Sequence, residues 1–102
     1  MARHTEAMER VAEAILETPG DADTNLRKQV EAYAAGRDAP ELPDDLRPYV
    51  DKVAKNAYKV VDADLDRLRE AGYSEDAIFE LTLAAALGAA RARLDTGLEA
   101  MR

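Results

Sequence analysis

A glutamate, a set of tyrosines and a row of lysines carry the chemistry open to a chain that has no cysteine and a single histidine, His4. Glu80 lies one turn into an otherwise apolar helical face. Burial there would raise its pKa and suit it to general acid catalysis, which needs a group poised near working pH in a water-poor site. Tyr58 is the hydroxyl read as its catalytic companion, and Tyr33 and Tyr49 could line the same pocket. The plainer readings stand beside these. Glu80 could be a surface carboxylate near Asp76 or paired with a base from a neighbouring helix, and tyrosine at helical apolar spacing is commonly core with its polar tip toward solvent. His4 sits near a terminus, where ordered side chains are rare.

Lys52, Lys55 and Lys59 recur at spacings of three and four, with Arg47 one turn earlier. They form a basic stripe that could contact an anion or an acidic partner. Its plainer reading is a solvated face paired with Asp51 and Asp62, where each exposed ion pair contributes little. Lysine also lacks the planar fork that marks dedicated carboxylate or phosphate sites. Asp62, Asp64 and Asp66 alternate like the first ligands of a calcium loop. That motif then needs glycine at its sixth position and glutamate at its twelfth, and Arg67 and Tyr73 stand there. These aspartates read more simply as a helix cap and first-turn acids, so no metal and no cofactor is expected.

Composition narrows the classes further. The chain has 102 residues, enough for one domain with a modest core, and with 47% apolar and 34% charged residues it falls among globular sequences. Fourteen basic against twenty-one acidic side chains leave a net charge of −7. That charge opposes attraction to nucleic acid or anionic membrane, so neither is expected as a partner. No window approaches the apolar length of a membrane span and the first residues lack a signal-peptide core, so a cytoplasmic protein is expected.

The elements that must position these residues are all helical in period. Met8, Val11, Ala12, Ile15 and Leu16 define one face of a first helix, with Thr5 as its cap and Pro19 and Gly20 as its stop. Thr24 or Asn25 starts a second, with Leu26, Val30, Tyr33 and Ala34 inward and Gly36 at its C-terminal cap. Residues 37–45, with two prolines and four acids, read as a surface connection dividing a two-helix arm (1–45) from a core (46–102). A third helix is expected from about Leu46 to Val60, with Leu46, Val50, Val53, Ala54, Ala57 and Val61 on its apolar side and Pro48 in its first turn. Asp62 is the expected cap of a short fourth helix that turns Leu65 and Leu68 inward and ends at Gly72. Ser74 caps a fifth, with Glu75 and Asp76 in its first turn and Tyr73 and Ile78 at the positions of a hydrophobic staple. From Ala77 to Ala92 this last helix is apolar on most sides, which calls for partners on most sides.

The block AYKV from Ala57, then Asp62, Asp64 and Leu65, then AGYSEDAIFEL and an alanine-rich helix ending in RxRL, resembles the carboxymuconolactone decarboxylase and alkylhydroperoxidase D (AhpD)-like superfamily. The likeness is strongest over residues 49–101. It implies an all-α, five-helix orthogonal bundle assembled as a homo-oligomer, a dimer, trimer or hexamer, through the last helices. Thiol-active members carry Cys-x-x-Cys-x-x-x-His and an upstream glutamate. Counting back from Gly72 puts those positions at Ala57, Val60, Asp64 and Asp45, and all four differ. With no cysteine in the chain, the peroxidase and disulfide reductase activities do not carry over. The expectation is a redox-inactive binding or assembly module, with a protein partner as one option for the lysine stripe. The alternative is a cofactor-free lyase that uses Glu80 and tyrosine hydroxyls in an intersubunit pocket.

Overall fold

Where two local signals agree on a helix end, the chain obeys them. The computed structural model describes the backbone of residues 2–101 and the side chains of residues 5–101, and every regular element among them is helical. Five α-helices follow one another: α1 (Ala2–Glu17), α2 (Thr24–Ala34), α3 (Arg47–Asn56), α4 (Asp62–Glu70) and α5 (Glu75–Ala100), with a single 3-10 turn (Ala57–Lys59) after α3. Gly36 and Gly72 both take positive φ, 82° and 101°, a region that side chains disfavour. Each lets the next amide reach back to a carbonyl of the last helical turn, Arg37 N to Ala32 O at 2.8 Å and Tyr73 N to Leu68 O at 3.1 Å. Ser74 Oγ accepts from Ala77 N at 3.1 Å, as its place before an acidic first turn predicts. Pro48 sits in the first turn of α3, where its missing amide costs no hydrogen bond.

Elsewhere the expected boundaries move. Helix α1 begins before Thr5, which is therefore inside the helix and does not cap it. Asp62 is the first residue of α4, and the carboxylate that serves this helix end is Asp64, whose Oδ2 accepts from the Val61 amide at 2.9 Å. Helix α3 stops at Asn56 instead of Val60. The Ala54 carbonyl, which a continuing helix would give to the amide of Tyr58, accepts from Arg93 Nη2 at 2.8 Å. Ala57 and Val61 are consequently exposed and leave the apolar side expected of them, and Val11 is also about half exposed, at 48%. Residues 37–45 are not wholly a surface connection, because Ala39 and Leu42 are buried and anchor it. Helix α5 runs two turns beyond Ala92. Its 26 residues, about 39 Å at 1.5 Å each, account for most of the 45 Å long axis of the molecule.

The helices before and after the 37–45 segment share one core. Helix α2 packs on α5 more extensively than any other pair, and α3, α1 and α4 pack on α5 in decreasing measure. Leu46, Leu81, Val30 and Val50 are the largest fully buried side chains, each worth about 1.5–3 kcal/mol relative to exposure. Helix α5 is thus the element against which the rest is assembled. No helix among the described residues is long and apolar enough to cross a membrane.

Candidate functional site

Helices α2 and α5 cross so closely at Gly88 that a Cβ there would lie 2.2 Å from the Glu31 carbonyl oxygen and 3.0 Å from Ala34 Cβ. The crossing buries Glu31, a charged residue on an inward face, against α5. One turn beyond Gly88, Arg91 places Nη1 3.8 Å from Glu31 Oε2 and donates from Nη2 to Glu9 Oε1 on α1 at 3.2 Å. Arg37, just past the Gly36 turn, donates to Glu31 Oε1. Two guanidiniums from separate elements therefore hold one buried carboxylate between them. Oε2 is buried and accepts no hydrogen bond among the described residues, and the Arg91 guanidinium lies 3.8 Å from it.

Arg37 and Arg91 are also walls of a groove of about 640 Å³ between α1 and the C-terminal half of α5. Its apolar surface comes from Met8 and Val11 on α1 and from Leu94, Leu98 and Met101 along α5, with Glu9 and Asp95 at its polar edge. Opposite charges balance across the groove, and apolar side chains make up most of its wall. Such a cleft suits a ligand with an apolar body and one polar end better than a bare ion.

The residues singled out from sequence lie elsewhere. Glu80 spans from α5 to the α1–α2 connection, where its carboxylate accepts from the amides of Asp21 at 3.1 Å and Ala22 at 2.7 Å. Gly20 lies directly beneath it, since a Cβ there would come within 2.6 Å of Oε2. Tyr58, 83% exposed on the 3-10 turn, is not core, and its charged neighbour is the Lys59 ammonium 6.0 Å from the ring centroid. Tyr49 is buried and shares a 2.7 Å hydrogen bond with Thr82 Oγ1, while Tyr33 donates to Asp51 at 3.2 Å. The lysine stripe divides. Lys52 donates to both oxygens of buried Asp64 at 2.8 and 3.0 Å, Lys55 lies 3.6 Å from Asp51, and Lys59 stays beside Tyr58.

Of the four positions that correspond to the redox motif, Asp64 is locked to Lys52, Asp45 accepts from the Tyr73 hydroxyl at 3.0 Å, Val60 is half-buried and Ala57 is exposed. The Lys52 ammonium, then the Val61 amide, hold the Asp64 carboxyl below the usual carboxylate range. Burial, then the Asp45 carboxylate, push the Tyr73 phenol up to about 12. His4 falls outside the described side chains. Among the described residues no group of three or more histidine or acidic side chains is placed to hold a metal ion.

The sequence pattern does not announce the burial of three charged side chains, Arg27, Glu31 and Asp64. Arg27 closes the end of α1, donating to the Ile15 carbonyl at 2.9 Å, to the Ala22 carbonyl at 3.1 Å and to Thr24 Oγ1 at 3.3 Å. Ala22 is thereby held from both sides, its carbonyl by Arg27 and its amide by Glu80. One signal for Glu31 was available, because it is one residue after Val30 on the face that includes Ala34. The chain matches no family model, no curated protein and no solved structure.

Proposed function

We propose that this protein is a binding or assembly module without thiol chemistry, a cysteine-less relative of the AhpD-like proteins, and that its ligand lies in the groove between α1 and α5. The observation that carries the reading is the groove itself. At about 640 Å³ it falls within the roughly 300–1,000 Å³ of small-molecule sites, with apolar walls and few convergent polar groups. The ligand class that fits is amphipathic, its apolar body along Leu94, Leu98 and Met8 and its polar end toward Arg91 and Arg37.

The acid–base alternative has less support. A general acid needs a site poor in water and a proton it can give up. Glu80 is occupied with two backbone amides, and Tyr58 stands in solvent. Glu80→Gln should therefore lower stability, by loosening the α1–α2 connection, without acting on any turnover.

Titration with the amphipathic dye anilinonaphthalene sulfonate tests the groove. Saturable binding to the wild type is expected, weakened at least tenfold in Leu98→Glu, with the helical circular dichroism spectrum of that variant intact. Equal binding by the two proteins would refute the groove as the site.

A further inference from the structure

Helix α5 has a second apolar side, opposite the one that builds the core. Phe79, Leu83, Ala86, Ala90, Leu94, Gly97 and Met101 are all exposed. At about 100° per residue they fall within roughly 80° of the helix circumference. Phe79 is 64% and Met101 81% exposed, Leu83 and Leu94 are 38% and 39% exposed, and a Cβ built on Gly97 meets nothing. No charged residue interrupts this stripe in a chain of net charge −7. It continues into the groove wall, because Leu94 and Met101 belong to both.

The order of side chains along the stripe identifies its occupant. Ala90 is the midpoint between Phe79 and Met101, between Leu83 and Gly97, and between Ala86 and Leu94. We propose that the stripe docks on the same stripe of a second copy of this chain, antiparallel, about a two-fold axis through Ala90. In that register Leu83 faces the partner's Gly97 and Ala86 faces the partner's Leu94, so each leucine meets a small residue. Phe79 meets the partner's Met101, a contact between sulfur and aromatic ring that is favourable in itself. Ala90 meets its own copy, so the helices approach to the short end of the usual 8–10 Å. The parallel alternative sets Phe79 on Phe79, Leu83 on Leu83 and Gly97 on Gly97, bulk on bulk and gap on gap. It also brings Glu75 and Asp76 of both copies together, whereas the antiparallel pair keeps these carboxylates apart and opposes the helix dipoles. An unrelated partner would place no such symmetry on the residues of one helix.

The seam is about 33 Å long and a helix about 10–12 Å across, so the projected contact is roughly 330–400 Å² per copy before flanking side chains are added. Specific interfaces bury from about 600 Å² per partner upward. The flanks bring the seam toward that lower limit, which makes this a reversible dimer that forms with rising concentration. The proposal rests on the assembly half of the reading above and not on the groove's ligand.

Because the chain has no native cysteine, single cysteines test the register directly. Two Ala90→Cys copies would meet on the axis, compatible with the Cα separation of about 4.4–6.8 Å that a disulfide needs. Two Gly97→Cys copies would be about 21 Å apart along the helix axis. Mild oxidation should link Ala90→Cys into dimers and leave Gly97→Cys monomeric. Sedimentation of the wild type should show twice the 11.2 kDa chain mass at high micromolar concentration, and Ala90→Glu should weaken association at least tenfold. A wild type that sediments as a monomer throughout, or Gly97→Cys linking as readily as Ala90→Cys, overturns the proposal. Dye binding by monomeric Ala90→Glu reports on the groove separately, so either idea can fail alone.

Discussion

Two buried carboxylates divide the molecule. Asp64 accepts from Lys52 through both oxygens, takes the Val61 amide on Oδ2 and has Arg67 3.8 Å away, so each of its oxygens accepts at least one hydrogen bond. Glu31 is just as buried, yet among the described residues one of its oxygens accepts nothing and faces a guanidinium beyond hydrogen-bond distance. Asp64 ties α4 to α3 and stops there. Glu31 supports the two arginines that line the groove. The hydrogen-bonded carboxylate belongs to the joint between two helices, and the under-satisfied one sits behind the two arginines of the groove wall.

The comparison breaks most completely at Gly88, which puts Glu31 where it is. Gly88→Leu drives a side chain into the Glu31 carbonyl, and overpacking of this kind costs about 1–3 kcal/mol or more. The expected result is a large fall in melting temperature with dye binding lost, and an unchanged thermal transition would dissociate Glu31 from the crossing. Next in size is Glu31→Ala, which leaves Arg37 and Arg91 without their shared partner. A loss of about 1–2 kcal/mol in urea unfolding is expected, because both guanidiniums keep some access to water, together with altered dye affinity. Asp64→Asn should destabilise while leaving dye affinity at the wild-type value, and a change in that affinity would erase the distinction drawn between the two acids.

The pH dependence sharpens the contrast from the architectural side. The folded-state pKa of Asp64 is lowered, so its contribution is present above the unfolded value near 3.8 and is lost as pH falls through the folded value. Stability of Asp64→Asn should accordingly converge on wild type in acid. Tyr73 behaves oppositely. Its folded pKa is raised from 10.0 to about 12, so its contribution is present below pH 10 and lost as pH rises toward 12. Tyr73→Phe should remove that alkaline component from the unfolding profile. The smallest effect belongs to the exposed Lys55–Asp51 pair, where Lys55→Ala should change stability by under about 0.5 kcal/mol.

Much of the fold was legible because its signals are local. A serine before two acids, a glycine after an apolar residue and a proline in a first turn each act within a few residues, and Ser74, Gly36, Gly72 and Pro48 all do what those neighbourhoods require. The boundaries that moved have remote causes, as when Arg93 takes the Ala54 carbonyl and α3 ends early. The candidate site was hardly legible at all. Glu80 stands out in the sequence as a charge on an apolar face, but its partners are amides 58 and 59 residues away. Arg27 and Glu31 carry no such mark, since charged residues on amphipathic helices are ordinarily exposed.

By itself the amino-acid order determined that this chain is helical, that thiol chemistry is closed to it, and that its last helix is too apolar to face water on every side. Those are properties of composition and of period, and they need no long-range contact to act. Only the tertiary structure decided which charges would be buried and which face of α5 would be left open. Burial of a charge depends on whether a partner arrives from another element, and a helix that is apolar all round has no preferred inward side until α2 settles against Gly88 and leaves Phe79, Ala90 and Met101 on the opposite face.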